Sequence, residues 1–265
     1  MSRETSLSPP DPGAGLRIAR GLVLPALLLL CWYAVTHLNL ANPRLLVRPE
    51  RAFATAIEQY RSGAIVKPLL HSLGRNLAGL LLGTGAGLLV GGLLGISRIA
   101  ERLIGPTFHA AKQVAIFAWI PLISVWFGVG EPAKVVFIAL SAFYPVVLNT
   151  HEGVRSVSKD LVEVAAVYRF SRLDVLRKVI VPAAIPSVFA GFRLALIYAW
   201  LATLGAEYLL AASPGIGNLM IEGREALAMD KVLVGIVIAG LVGAAFAALS
   251  HRLERHLLRW RVPNH

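Results

Sequence analysis

Residues 160–186 read DLVEVAAVYRFSRLDVLRKVIVPAAIP, and no other long segment between the apolar stretches of this chain has the pattern of a folded element. Asp160 can cap a helix that starts at Leu161, and Glu163 is then placed to complete a capping box. The predicted helix has an apolar face, formed at three- and four-residue steps by Leu161, Val164, Ala165 and Tyr168. Because the apolar stretches of the chain lie elsewhere, we expect another structure to cover this face.

A second capping pattern follows in the same segment. Ser171 stands three residues before Asp174, which predicts a second short helix with a basic last turn at residues 177–178. Pro182 is expected to end that helix, because proline lacks an N–H group and clashes with the preceding turn. The segment is therefore predicted to form two short, rigid helices separated by a break.

This arrangement resembles the EAA loop in the membrane subunits of bacterial ABC importers, whose pattern is E-A-A, three residues, Gly, nine residues and I-x-L-P. The spacing matches throughout, at Glu163, Val164 and Ala165, then Arg169, then Val179, Val181 and Pro182. Arg169 replaces the glycine of the family, so the turn between the helices lacks glycine's access to positive φ. The alternative interpretation is an ordinary amphipathic loop that lies on a membrane surface.

The composition indicates a polytopic membrane protein. Hydrophobic residues make up 56% of the chain and charged residues 15%, with a mean hydropathy of +0.67, which is too apolar for a soluble domain of 265 residues. The net charge of +11 comes from basic residues in short flanks between apolar stretches, which argues against a nucleic-acid partner. Cys31 is the only cysteine and the histidines are scattered, so neither a disulfide framework nor a metal site is predicted.

Six apolar stretches predict six transmembrane helices in an all-α fold. They cover residues 21–38, 70–96, 114–129, 135–150, 187–210 and 232–249. Pro49–Arg61 is predicted to be a short amphipathic helix, and residues 97–112 a short basic loop. Residues 1–16 are expected to form a disordered tail. Residues 17–261 are expected to form a single membrane domain with the loop at 151–186, and residues 262–265 to be its C-terminal end.

The second predicted span has a glycine at every fourth position. The series is Gly79, Gly83, Gly87, Gly91 and Gly95. Glycine at this period removes side chains along one helix ridge, which lets another helix approach closely in lipid. The alternative is a span that is rich in glycine throughout, since Gly85 and Gly92 lie off the ridge.

Four residues in the apolar part of the chain are candidates for lining a translocation pathway: Trp119, Pro121, Arg193 and Glu207. Pro121 frees a backbone carbonyl and can kink the third span. An ionisable residue inside a membrane is first interpreted as functional, because a charge in lipid is costly. Arg193 and Glu207 can also lie near a membrane boundary, where water reaches them. For Glu207, lining of the pathway and structural pairing stay equally open.

Two stretches around these candidates resemble the sulfonate, taurine and nitrate branch of the importer family. They are AWIPLISVWFGVGEPAK at residues 118–134 and FRLALIYAWLATLGAEYLLAASPGIGNLM at residues 192–220. Together with the loop, the resemblance covers roughly residues 45–260. The permease for alkanesulfonates is the nearest match within this branch, and taurine, nitrate or another small organic anion stays open as the substrate.

The distribution of basic residues predicts that both termini and the loop at 151–186 are cytoplasmic. Of the 26 Lys and Arg residues, 16 then lie on the cytoplasmic side and nine on the other side. The loop is thus placed where a cytoplasmic ATPase can reach it. The expected location is the inner membrane of a bacterium, with several passes.

The chain lacks the motifs of an enzyme or a motor. No G-x-x-x-x-G-K-[ST] phosphate loop occurs, so a partner must supply ATP hydrolysis, with ATP and Mg bound there. H-E-x-x-H and G-x-S-x-G are absent, which argues against an intramembrane enzyme. A self-contained secondary transporter commonly shows internal repeats and ionisable groups at the bilayer midplane, and neither is clear here.

The resemblance therefore implies the permease subunit of an ATP-driven importer. The family implies a homodimer with the pathway at the subunit interface, two copies of an ATPase subunit and a periplasmic substrate-binding protein, all associated with membrane lipid. No cofactor is expected in this chain. The residues implied for coupling to the ATPase are Asp160, Leu161, Glu163, Val164, Ala165, Tyr168, Arg169, Ser171, Val179, Val181 and Pro182.

Overall fold

The computed structural model describes residues 14–42, 45–210 and 213–257, and every regular element in these ranges is helical. The predicted all-α fold is confirmed. The α-helices are α1 Ala14–His37, α2 Pro49–Arg61, α3 Val66–Ile96, α4 Arg98–Ala111, α5 Ile120–Phe127, α6 Glu131–Arg155, α7 Lys159–Val167, α8 Arg172–Val175, α9 Val181–Leu209, α10 Ile216–Glu225 and α11 Met229–Leu257. A 3₁₀ turn, Ile116–Trp119, precedes α5, and a π-helical turn, Leu176–Ile180, joins α8 to α9.

Four of the described helical segments are long and apolar enough to cross a membrane. They are Val66–Ile96, Glu131–Arg155, Arg172–Leu209 and Met229–His256, and they coincide with four of the six predicted spans. A fifth is present if the bent pair of α4 and α5 is counted as one span, and Val23–His37 of α1 is a shorter apolar helix. Most of the predicted disordered tail lies outside the described residues, but residues 14–16 already belong to α1.

The segment predicted as a basic loop at residues 97–112 is a helix. Ser97 caps α4 by accepting a hydrogen bond from the Ala100 N–H at 3.2 Å. Phe108 packs its ring against Phe143 and Tyr144 of α6, so one face of α4 is apolar and the short basic flank folds against the bundle. The predicted third span at residues 114–129 is not a continuous transmembrane helix: it consists of the 3₁₀ turn and the short helix α5, and the axis turns by 97° between α4 and Ile116–Phe127.

Pro121 does not kink a helix as predicted. It stands in the first turn of α5, where the missing N–H group has no intrahelical partner to lose. The bend in this part of the chain lies before the 3₁₀ turn, at residues 112–115.

The glycine series on α3 faces α6. A Cβ added to Gly79 would lie 2.5 Å from a methyl carbon of Ile138, and one added to Gly83 would lie 2.2 Å from the carbonyl oxygen of Ala139. The other members, Gly87, Gly91 and Gly95, meet Val146, Val147 and Val154 at 2.6–2.7 Å. Off the ridge, a Cβ at Gly85 or Gly92 would meet nothing within 4 Å. The two helix backbones therefore approach along the whole ridge.

Helix α6 is the centre of the fold, because it packs against α3 on one side and α9 on the other. Phe137, Ile138 and Ala142 of α6 are fully buried, and α9 contributes Ala195 and Ala199 to the same core. At one end of this three-helix group α2, α10 and α11 pack together. At the other end α7 and α8 connect α6 to α9.

Candidate functional site

The connection between α6 and α9 forms two short helices, and the first is capped two residues earlier than predicted. Ser158, not Asp160, is the N-cap, and its Oγ accepts a hydrogen bond from the Asp160 N–H at 3.2 Å. Asp160 lies in the first turn, where its charge favours the positive end of the helix dipole. Glu163 therefore falls beyond the third helical position, and the predicted capping box is wrong.

The turn after α7 is a Schellman motif with Arg169 at the position of the family's glycine. The Phe170 N–H donates to the Ala165 carbonyl at 3.0 Å, and the Arg169 N–H donates to the Ala166 carbonyl at 2.9 Å. This motif requires a left-handed residue at C′, and Arg169 adopts φ +53°. An L residue other than glycine pays about 1–2 kcal/mol for that conformation. The turn therefore keeps the geometry that glycine would give it, at some energetic cost.

The second helix is capped as predicted. Ser171 Oγ accepts from the Asp174 N–H at 3.2 Å and donates to Asp174 Oδ2 at 2.5 Å. Lys178 adds an ion pair to Asp174 at 2.7 Å and lies over the Phe170 ring at 5.1 Å. These contacts fix the start of the helix to the turn before it.

Pro182 does not end this helix, in contrast to the prediction. The π-helical turn that contains Val179 carries the chain directly into α9, which starts at Val181. A π turn widens the helix by one residue, and such turns accommodate the displaced hydrogen bonds around a proline. Helices α8 and α9 thus form one 38-residue unit, Arg172–Leu209.

The apolar face of α7 is largely open. Leu161, Val164 and Tyr168 are exposed, Tyr168 by 73%, and Val167 beside them is exposed by 81%. Ala165 differs from the other predicted members of this face, since it is only 4% exposed. It is covered within the chain, where α7 meets the π-helical turn. The open surface is therefore Leu161, Val164, Val167 and Tyr168, which we call the α7 patch.

The predicted pathway residues do not come together. Trp119 is half-buried in the 3₁₀ turn, and its indole Nε1 is enclosed without a hydrogen-bond partner among the described residues. Arg193 is exposed on α9, 3.7 Å from a carboxylate oxygen of Glu254 on α11. Pro121 lies at the start of α5. No common cavity lining unites these residues with Glu207 in the described part of the chain.

Glu207 is fully buried and paired. Its Oε1 accepts from Arg75 Nη1 and from Ser72 Oγ, both at 2.6 Å, and its Oε2 accepts from the Gly217 N–H at 2.8 Å. The side chain is 0% exposed, so it neither snorkels to a boundary nor faces an open pathway. This geometry favours structural pairing, one of the two roles left open for Glu207.

Arg75 connects this carboxylate to a larger cluster at the end of the bundle that carries α10. Its Nε and Nη2 donate to the two carboxylate oxygens of Glu131 at 2.5 and 2.8 Å, and Nη2 also donates to the Pro214 carbonyl at 2.6 Å. Lys134 Nζ donates to Ser213 Oγ at 2.8 Å. Two cations and two carboxylates thus balance in a network that ties α3, α6 and α9 to the segment before α10, with Arg75, Lys134 and Glu207 buried and Glu131 exposed. We call these four residues the ion cluster.

The chain was compared with known proteins, and a family model matches most of its length. The model is described as the inner membrane component of binding-protein-dependent transport systems, and it matches residues 79–260. The chain belongs to this family. It is therefore a permease subunit of the ABC importer type and is not itself an enzyme.

Individual relatives agree with the family. The permease is 38% identical over 91% of its length to the aliphatic sulfonates transport permease protein SsuC of Bacillus subtilis (strain 168), covering 87% of that protein. It is 34% identical over 91% of its length to the protein of the same name from Escherichia coli (strain K12), covering 92% of it. Permeases named for taurine, bicarbonate and nitrate also match.

A solved structure described as an amino acid ABC transporter with histidines shares the fold of the permease. The TM-score is 0.65 at 16% identity, and the match covers 76% of the permease and 97% of that chain. The family implies an ATPase subunit and a substrate-binding protein as partners, and a multi-pass location in the inner membrane.

Of the four residues in the ion cluster of the permease, only Glu207 was predicted from the sequence as a functional candidate. Arg75 and Glu207 are 132 positions apart, and Glu131 lies 56 positions after Arg75. The sequence signal was that Arg75, Glu131 and Lys134 lie near the ends of apolar stretches. The same positions are expected for charged residues that only face solvent beside a membrane span. The structure also explains Gly215, because a Cβ there would lie 2.3 Å from the Glu207 carboxyl carbon.

Proposed function

We propose that the permease carries aliphatic sulfonates across the inner membrane, driven by an ATPase that binds the α7 patch. The single observation that carries the coupling role is that this patch is apolar and exposed on a short, doubly capped helix. A contiguous exposed apolar patch of this kind is typical of a surface that binds a protein partner or a membrane. The match to the family's loop pattern indicates an ATPase subunit as that occupant. The names of the two SsuC relatives support sulfonates as the substrate class.

The same proposal includes the arrangement of subunits. Both termini and the α7 patch lie in the cytoplasm, because 15 of the 26 Lys and Arg residues then lie on that side even when Lys112, which lines a cavity beside the middle of α6, is not counted. Two copies of the permease form the pathway between them, and each copy binds one ATPase subunit. A substrate-binding protein delivers the sulfonate to the opposite face.

The continuous helix α8–α9 provides a mechanical link in this proposal. A helix of 38 residues is about 57 Å long, which is enough to reach from the cytoplasmic surface through the membrane. It starts beside the α7 patch and holds Glu207 of the ion cluster near its other end. Movement of the docked ATPase is therefore passed to α9 as a rigid-body displacement, and α9 moves relative to its neighbours as ATP binds and is released.

The test introduces a charge into the patch. Leu161→Glu should leave the permease inserted and abundant, because the side chain is exposed, while the ATPase no longer copurifies with it. Ala166→Glu is the matched control, since Ala166 is also exposed but lies on the opposite side of α7. Ala165→Trp is unsuitable, because it would overpack a buried contact inside the chain.

A labelling experiment locates the same patch. Val167→Cys in a Cys31→Ser background should react with a membrane-impermeant maleimide in inside-out vesicles stripped of the ATPase. The ATPase should protect it, and intact cells should not be labelled. Normal copurification of the Leu161→Glu variant, or labelling of Val167→Cys from outside the cell, would show that this loop is not the coupling element.

A further inference from the structure

A largely apolar cavity lies where the chain bends between α4 and α5. It has a volume of about 470 Å³ and lies between residues 112–116, the middle of α6 and the middle of α9. The residues of the 97° bend after α4 form one side of this cavity. This size is within the range of small-molecule sites.

The cavity contains one cation and no carboxylate. Lys112 is the single charged residue in its lining, and no acidic side chain takes part. Lys112 is half-buried, and within the described residues its ammonium group has neither a hydrogen bond nor an ion pair. A cation without a counterion in an apolar setting attracts an anion more strongly than the same group does in water.

Hydroxyl groups and aliphatic walls surround this cation. The ring of Tyr144 is held by Phe108 at 5.9 Å, and its hydroxyl has no partner in the described part of the chain. Tyr198 on α9 is a second tyrosine in the cavity lining. The remaining wall is largely apolar, with Val114, Ile116, Leu148 and Leu194. The polar groups of Ser141 and Asn149 already bind backbone carbonyls at 3.1 and 2.8 Å.

We infer that this cavity is the binding site for the sulfonate within the membrane, with Lys112 and the Tyr144 hydroxyl on the charged head and the aliphatic wall on the alkyl chain. The inference rests on the proposed function, and it narrows the class of anion. Nitrate and bicarbonate have no alkyl chain to contact the wall. Taurine would bring an ammonium group into a site that holds Lys112 and no carboxylate to pair with it.

The first experiment measures uptake of propane-1-sulfonate into vesicles that contain the complete transporter. Lys112→Gln should lower the uptake rate about tenfold to a hundredfold, the range expected for the loss of a charged hydrogen bond. Lys112→Arg should retain most of the rate. Lys67→Gln is the control, because Lys67 is an exposed lysine on α3 away from the cavity.

The second variant removes only the hydroxyl group of Tyr144, so it tests the site even if replacement of Lys112 disturbs folding. Tyr144→Phe should lower uptake about threefold to tenfold, whereas Tyr33→Phe on exposed α1 should have no effect. ATP hydrolysis stimulated by the loaded binding protein reports whether coupling is intact in each variant.

Equilibrium dialysis of labelled propane-1-sulfonate against the purified permease–ATPase complex, without the binding protein, tests the site itself. Saturable binding that is lost in Lys112→Gln and is not displaced by taurine supports the inference. No saturable binding, or equal binding by the variant, overturns it. If wild-type vesicles take up no alkanesulfonate at all, the proposed function fails. If the wild type and Lys112→Gln take it up equally, only the assignment of this site fails.

Discussion

Replacing Gly83 with alanine tests whether the glycine series is needed for the contact between α3 and α6. The new Cβ would lie 2.2 Å from the Ala139 carbonyl oxygen and 2.9 Å from the Ala142 Cβ. The nearest atom belongs to the backbone of α6, so no side-chain rotation can relieve the overlap. The two helices must separate, and separation weakens the contact on which the core of the bundle depends.

The cost can be compared with that of a matched change on the same helix. Overpacking of a tight core costs about 1–3 kcal/mol. Gly85→Ala adds the same methyl group two residues further on, where nothing lies within 4 Å, and should leave the free energy of unfolding unchanged or raise it by up to about 1 kcal/mol, because alanine has the higher helix propensity. Both variants gain the same helix propensity, so the difference between them isolates the packing term.

The assay is thermal unfolding of the detergent-solubilised permease, followed by the loss of monodisperse protein. Gly83→Ala should unfold at a clearly lower temperature than Gly85→Ala, whose midpoint should equal or slightly exceed that of the wild type. Equal midpoints for the two variants would refute the packing role of the series. Gly83→Leu should accentuate the defect, because a larger side chain enlarges the same overlap.

The same unfolding assay tests the ion cluster, and hydrogen exchange tests the turn after α7. Arg75→Ala leaves Glu207 buried without its cation and should cost about 3–5 kcal/mol, whereas Arg193→Ala removes only an exposed pair and should cost about 1 kcal/mol or less. Equal stability of these two variants would contradict the role of the cluster. Arg169→Gly should stabilise the turn by about 1 kcal/mol, because glycine adopts φ +53° without strain. Slower exchange of the Phe170 amide is the expected result, and faster exchange would count against it.

Local periodicity was sufficient to predict much of this fold. The helix Pro49–Arg61 was predicted with its observed bounds, because a proline at its start and Gly63 after its end mark both termini. Four spans follow from length and hydropathy alone. The break after α4 could not be predicted in this way, because Phe108 of that segment is stabilised by residues of α6 that lie far along the chain.

The errors in the loop have a different cause. In each case the local rule is valid, but another feature of the structure decides the outcome. Both Ser158 and Asp160 can cap a helix, and the structure uses the earlier residue, which shifts Glu163 out of the capping position. Pro182 ends an isolated helix, but here a π turn and the packing of α9 keep the chain helical through it.

This difference has a consequence for coupling. Two helices separated at a proline would act as a hinge, and a hinge absorbs movement between the α7 patch and the membrane. In the proposed coupling, a single unit, Arg172–Leu209, would transmit that movement, and the buried pairing of Glu207 with Arg75 ties its far end to α3. A displacement that starts at a docked ATPase would then have to move α9 against α3 and α6 as a body, and the packing of these three helices would matter for transport as well as for stability.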